Sequence, residues 1–165
     1  GEALVSAERL GKLERHTRQI LESIAQELGL TAPDVVFAGM VPAEQVADWY
    51  QLGDLFVSAS TSETQGLTYA EALAAGVPVL CRADPCLLGV VRNGENGWQY
   101  RDEAEFQARL SEFLAQPHHR ERLASCARVS AEEFSAQRFA ERVEAVYEEQ
   151  IARRARADVC REVSA

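Results

Sequence analysis

Lysine is almost absent from this 165-residue sequence: Lys12 is the only one, and arginine carries the rest of the positive charge. A phosphorelay receiver domain needs a lysine late in its sheet, and none stands there. Asp54 also opens an apolar segment, whereas a receiver's phosphoacceptor closes one. Basic residues are outweighed overall, with a net charge of -9 at pH 7. Nucleic acid is thereby excluded as a partner, because its phosphates need a basic surface. The same charge argues against the body of the domain lying flat on an anionic membrane. Cysteine is sparse: Cys81, Cys86, Cys126 and Cys160 form no Cys-x-x-Cys pair, and the histidines show no zinc spacing. Neither a metal nor a cofactor is expected, and the thiols are expected reduced in a cytoplasmic protein. No apolar run is long enough to span a bilayer, and no signal-peptide pattern is present. Internal repeats and low-complexity linkers are also missing.

The length fits one domain, and the 47% hydrophobic content suits an ordinary α/β core. Ala3 to Val5 reads as a short strand. Leu13, Ile20, Leu21, Ile24, Ala25 and Leu28 recur near helical spacing, which predicts a helix from about Lys12 to Leu28, ended by Gly29. Val35 to Ala38 reads as a strand followed by Gly39. Pro42 suits the first turn of a helix striped by Val46, Trp49 and Tyr50 and closed by Gly53. From Asp102 onward the chain reads as three helices. Phe106, Leu110, Phe113 and Leu114 stripe the first, which Pro117 ends. Leu123, Cys126 and Ala127 belong to the second. Phe139, Val143, Val146 and Tyr147 stripe the third. His118 and His119 read as a solvated turn, and Arg153, Arg154, Arg156 and Arg161 as a basic tail. The segments expected are 1–34, 35–150 and 151–165.

The chain is organised around Ser58 to Leu80, SASTSETQGLTYAEALAAGVPVL. The apolar strand Leu55 to Val57 runs into a small polar loop carrying Glu63. A helix opens at Gly66, carries Glu71 and stops at Gly76. Pro78 leads into a second buried strand that ends at Cys81, itself expected as a small buried hydrophobe. Strand, loop, helix, strand is the βαβ unit of an open parallel sheet, whose ligands sit beyond the carboxyl ends of the strands. Gly66 lets a ligand approach the backbone, and the first free amides of the helix favour a phosphate. A helix carboxylate such as Glu71 can accept from the paired hydroxyls of a ribose, and one on the loop such as Glu63 from sugar hydroxyls. A nucleotide-sugar site fits. The plainer alternative is a favourable dipole charge at Glu63 and a solvated Glu71. Against it, Glu71 stands among Ala70, Ala72, Leu73 and Ala74, where a charge is costly unless partnered.

Glu63-x7-Glu71 followed by ALAAGVPV resembles the E-x7-E signature of retaining glycosyltransferases of family 4. The resemblance runs from about Val35 through Trp98 and more loosely to Tyr147. SASTSETQGLTYAEALAAG closely resembles bacterial diacylglycerol glucosyltransferases, as does the Asp84–Leu87 loop. The resemblance implies most of the carboxyl-terminal, donor-binding domain of a GT-B enzyme: an α/β, Rossmann-like open parallel sheet with a helical carboxyl end. Glu63 would then face the donor sugar as the catalytic-site carboxylate. Glu71 would hold the ribose. The amides of Gln65, Gly66 and Leu67 would meet the sugar and diphosphate, and Met40 and Val41 the nucleotide base. The implied donor is a UDP-sugar, with UDP-glucose foremost, and the implied acceptor is a lipid held by an amino-terminal domain. Contact with the inner face of a membrane goes with such an acceptor. The family's diphosphate-binding Arg–Lys pair is only echoed: Arg9-Leu10 matches, but Glu14 stands near the lysine position. A nucleotide-binding regulatory or structural module without catalysis is the rival that this departure supports.

Overall fold

A computed structural model describes residues 7–64 and 66–163, with the side chains of 7–14, 155 and 157–163 set aside. The strand expected at Ala3 to Val5 lies outside the described residues. Two compact units divide at Pro42 and Ala43.

In the first unit α1 spans Ala7–Glu27. Gly29, at φ 71°, turns the chain after it, and the Leu30 amide donates back to the Ala25 carbonyl at 2.9 Å. A turn follows in which Asp34 accepts from the Thr31 amide at 3.2 Å. Val35 to Ala38 has no regular structure, against the expected strand. β-structure exists only where backbone groups are paired with a neighbour, and among the described residues no ladder forms at this segment. Apolar composition alone therefore misleads there.

The second unit opens with a short 3-10 turn at Ala43–Gln45 and α2, Val46–Gln51. Gly53 donates back to the Tyr50 carbonyl at 3.0 Å as the chain leaves α2. The strands are β1 (Phe56–Ser58), β2 (Val79–Arg82) and β3 (Gly97–Tyr100). They pair in parallel in the order β1-β2-β3, with Phe56 opposite Val79 and Leu80 opposite Trp98. β2 is buried on both faces, as the central strand of a covered parallel sheet must be. Val79 and Cys81 point into a core with Tyr69, Leu73, Leu87 and Ala127. Leu80 points into another with Trp98, Tyr100, Phe113 and Leu123. This is the expected α/β open parallel sheet.

Helix α3 (Leu67–Ala74) makes the β1–β2 crossover, and α4 (Glu103–Ala115) and α5 (Pro117–Ala131) follow β3. The Asp102 carboxylate caps α4 by accepting from the Glu105 amide at 2.9 Å. Pro117 takes the first turn of α5, where its missing N–H costs nothing. His118 and His119 therefore belong to a helix rather than a loose turn. Buried Asn96 donates to the Val90 carbonyl and to Ser130 Oγ, and so ties the turn before β3 to α5. α6 runs unbroken from Ala136 to Val163, through the expected start of a tail at 151. Its stripe of Phe139, Val143, Val146 and Tyr147 is exposed rather than packed. No described helix is long and apolar enough to cross a membrane.

Candidate functional site

β1 ends at Ser58, and its carboxyl end delivers the chain into the loop that carries Glu63. The loop closes at Gly66, the residue before α3, with φ 65° and ψ 25°. That left-handed conformation suits glycine. Space is short as well: a Cβ there would lie 2.9 Å from Leu87 Cδ2 and 3.7 Å from the Tyr69 ring. The glycine thus serves packing, where the sequence pointed only to the approach of a ligand. No side chain caps α3. The Tyr69 amide donates to the Gly66 carbonyl at 3.2 Å, so the amides of Leu67 and Thr68 are the ones a helix start leaves without an intrahelical acceptor, and the helix dipole adds partial positive charge.

Glu63 is half-buried and Glu71 is exposed. The inward face of α3 is Tyr69, Ala72 and Leu73, so Glu71 points away from the core. The sequence argument that apolar neighbours make its charge costly is thereby corrected: Ala72 and Leu73 turn into the core, while Ala74 is exposed beside Glu71. A tyrosine hydroxyl reaches each glutamate. Tyr50 donates to Glu71 Oε2 at 3.3 Å, and Tyr69 donates to Glu63 Oε1 at 2.8 Å. The two rings flank Phe56, edge to face, at 5.5 and 5.8 Å. Burial first, then the charge of Glu71 and its hydrogen bond, push the Tyr50 phenol up to about 12. Tyr69 is likewise pushed up to about 12, by burial, with the Ser58 hydroxyl opposing and Glu63 reinforcing. Both phenols therefore keep their protons at neutral pH. Cys81 sits buried nearby, its thiol raised to about 12 by burial and then by Glu63 and Asp84. It behaves as the hydrophobe expected.

An open groove of about 720 Å³ runs beside α3. Gly66, Leu67, Ala70 and Glu71 form one wall, and Phe134, Phe139 and Arg142 contribute to the other. Glu63 is not among its lining residues, so the two glutamates flank the amino end of α3 rather than lining this groove together. Of the residues singled out from sequence, Glu63, Gly66, Leu67 and Glu71 are gathered at this helix end. Gln65 lies outside the described residues. Met40 and Val41 belong to the first unit, Met40 exposed and Val41 half-buried. Among the described residues no group of three or more His, Cys, Asp or Glu side chains could hold a metal ion. Sequence reasoning missed Ser58, Tyr50 and Tyr69. Tyr69 carried a signal: at spacing i, i+3, i+4 with Ala72 and Leu73 it faces inward, and a buried hydroxyl needs a partner. Tyr50 carried none, because 21 residues separate it from Glu71.

A parallel sheet and a glycine-opened crossover helix, with Glu63 on the loop beyond β1 and Glu71 on the helix, make a Rossmann-like domain. Solved glycosyltransferases share this fold. Sucrose-phosphate synthase from Thermosynechococcus elongatus superposes with a TM-score of 0.71 over 83% of this chain and 35% of that one, at 26% identity. A pneumococcal O-GlcNAc transferase solved with UDP and GlcNAc superposes with a TM-score of 0.65 at 23% identity, over 79% of this chain and 27% of that one. The chain belongs to the family Glycosyl transferases group 1, whose sequence profile matches residues 11–130. It is 38% identical over 128 residues to the alpha-monoglucosyldiacylglycerol synthase of Streptococcus pneumoniae. That match takes in 77% of this chain and 28% of the relative, so the chain spans little more than a quarter of that protein's length.

Proposed function

We propose that this chain is the donor-binding part of a retaining glycosyltransferase that uses a UDP-hexose, UDP-glucose foremost, and delivers the hexose to a lipid acceptor such as diacylglycerol. The observation that carries the reading is the amino end of α3, where Gly66 opens an uncapped helix between Glu63 and Glu71. The diphosphate sits against the first-turn amides at Gly66 and Leu67. Glu71 accepts from the ribose hydroxyls, and Glu63 from the hexose. When the bond between the anomeric carbon and the diphosphate oxygen breaks, negative charge grows on the leaving diphosphate. Fixed N–H dipoles there stabilise it without reorganising. Glu63 meanwhile holds the ring in the orientation that attack requires. The hexose and lipid preferences rest on the name of the pneumococcal relative and on the E-x7-E resemblance.

The acceptor pocket is assigned to a separate amino-terminal domain, so this chain alone binds donor and does not transfer. A cytoplasmic protein that meets the inner membrane face through its acceptor fits this reading. Titration calorimetry of the chain with UDP and with UDP-glucose tests it. Saturable binding of both, with UDP-glucose the tighter, is expected. Absence of binding by either ligand overturns the donor assignment and favours a structural module.

A further inference from the structure

The Glu63 loop is anchored by a relay of hydrogen bonds whose directions are fixed by chemistry. A carboxylate only accepts, so the single phenolic proton of Tyr69 goes to Glu63 Oε1, at 2.8 Å. The Ser58 hydroxyl, 2.9 Å from the same phenol oxygen, must then be the donor to it. Ser58 Oγ in turn accepts from the Ser60 amide at 3.2 Å. The order is Ser60 N–H, Ser58 O–H, Tyr69 O–H, Glu63 carboxylate, with each bond polarising the next. Tyr100 secures the base of the relay by donating to the Ser58 carbonyl at 3.1 Å. The Tyr69 ring is 1% exposed and wedged against Phe56, so its hydroxyl has a fixed position. Ser58 alone would satisfy a buried phenol. The second bond, to a half-buried loop carboxylate, leaves Glu63 Oε2 free for a ligand, since Tyr69 is the only hydrogen-bond partner of this side chain among the described residues.

We propose that Tyr69 is a positioning residue, holding one oxygen of Glu63 through a core-anchored hydroxyl so that the other faces the donor sugar. The proposal rests on the donor-binding reading above and deepens it: the sugar half of the site is set by the interior of the domain, through a residue that touches no ligand.

Tyr69→Phe removes the hydroxyl and keeps the ring. In calorimetry its affinity for UDP should match wild type, while the preference for UDP-glucose over UDP should fall by about threefold to tenfold, the scale of one ordinary net hydrogen bond, because Glu63 itself remains to meet the sugar. In a Glu63→Ala background the same change should have no further effect on that preference, because the carboxylate that Tyr69 positions is gone. An unchanged preference in Tyr69→Phe, or an equal loss with and without Glu63, overturns the proposal. A second readout needs no ligand and separates failure here from failure of the donor reading. The side-chain carboxyl carbon-13 resonance of Glu63 should move in Tyr69→Phe while that of Glu71 stays. A stationary Glu63 resonance overturns the positioning role even if UDP-glucose binds, whereas a moved resonance in a protein that binds neither ligand keeps the Tyr69–Glu63 bond and overturns the donor reading instead.

Discussion

At the scale of single residues, the two glutamates are set apart by what holds them. Glu71 is exposed and takes one hydrogen bond from Tyr50. Glu71→Gln keeps an oxygen for that bond, so the fold should be unaffected. UDP binding should weaken by about 1–3 kcal/mol, the scale of hydrogen bonds to a charged group. Unchanged UDP affinity by calorimetry would remove the ribose role. Glu63→Ala should behave differently, leaving UDP affinity nearly intact and abolishing the extra affinity of UDP-glucose. Equal changes for both ligands would place Glu63 away from the sugar and leave it only a helix-dipole role, worth typically 0.3–1 kcal/mol of stability. Glu63, Glu71 and the glycine before the helix were all legible in the sequence, because spacing along one strand–loop–helix unit brings them together. Tyr50 was not, because its approach to Glu71 comes from the packing of α2 against α3.

At the scale of the element, α3 begins where it does because of Gly66. The left-handed backbone costs a residue with a side chain roughly 1–2 kcal/mol, and the 2.9 Å approach of Leu87 adds a packing penalty. Gly89 offers the internal control, with φ 82° and nothing within 4 Å of a built Cβ. Gly66→Ala should therefore destabilise more than Gly89→Ala, by about 1 kcal/mol or more in denaturant unfolding. Equal effects would mean that Leu87 moves aside freely. From the sequence, Gly66 serves the close approach of a ligand to the backbone. The structure adds a packing role, since Leu87 and Tyr69 belong to one buried cluster. The element misread from sequence, Val35 to Ala38, failed for a reason of the same kind: a strand is defined by a neighbour, and a short apolar run carries no information about whether one is there.

At the scale of the whole molecule, the central strand β2 is covered on both faces and α6 leaves its apolar stripe uncovered. Tyr147 and Ile151 are 67% and 68% exposed. Changing both to Ser should shift stability by no more than about 0.5 kcal/mol, as for surface positions without partners. A melting temperature lowered by many degrees would show that this stripe is packed in solution. The periodicity of Phe139, Val143, Val146 and Tyr147 announced a helix correctly, and a helix formed. Periodicity specifies the face that could be buried and says nothing of whether a surface lies opposite it.

The amino-acid sequence by itself determined the βαβ unit, the buried strands, the helical carboxyl end and the family. Each of these is written in local signals: apolar runs, turn glycines, helical spacing and one motif within Ser58 to Leu80. Tertiary structure alone decided which oxygen of Glu63 is held, which tyrosine reaches each glutamate, and that Gly66 is confined by Leu87. It also decided that Glu71 faces outward despite its apolar neighbours. Those outcomes depend on contacts between elements distant in sequence, and on which way a helix turns once its larger side chains, Tyr69 and Leu73, have claimed the core.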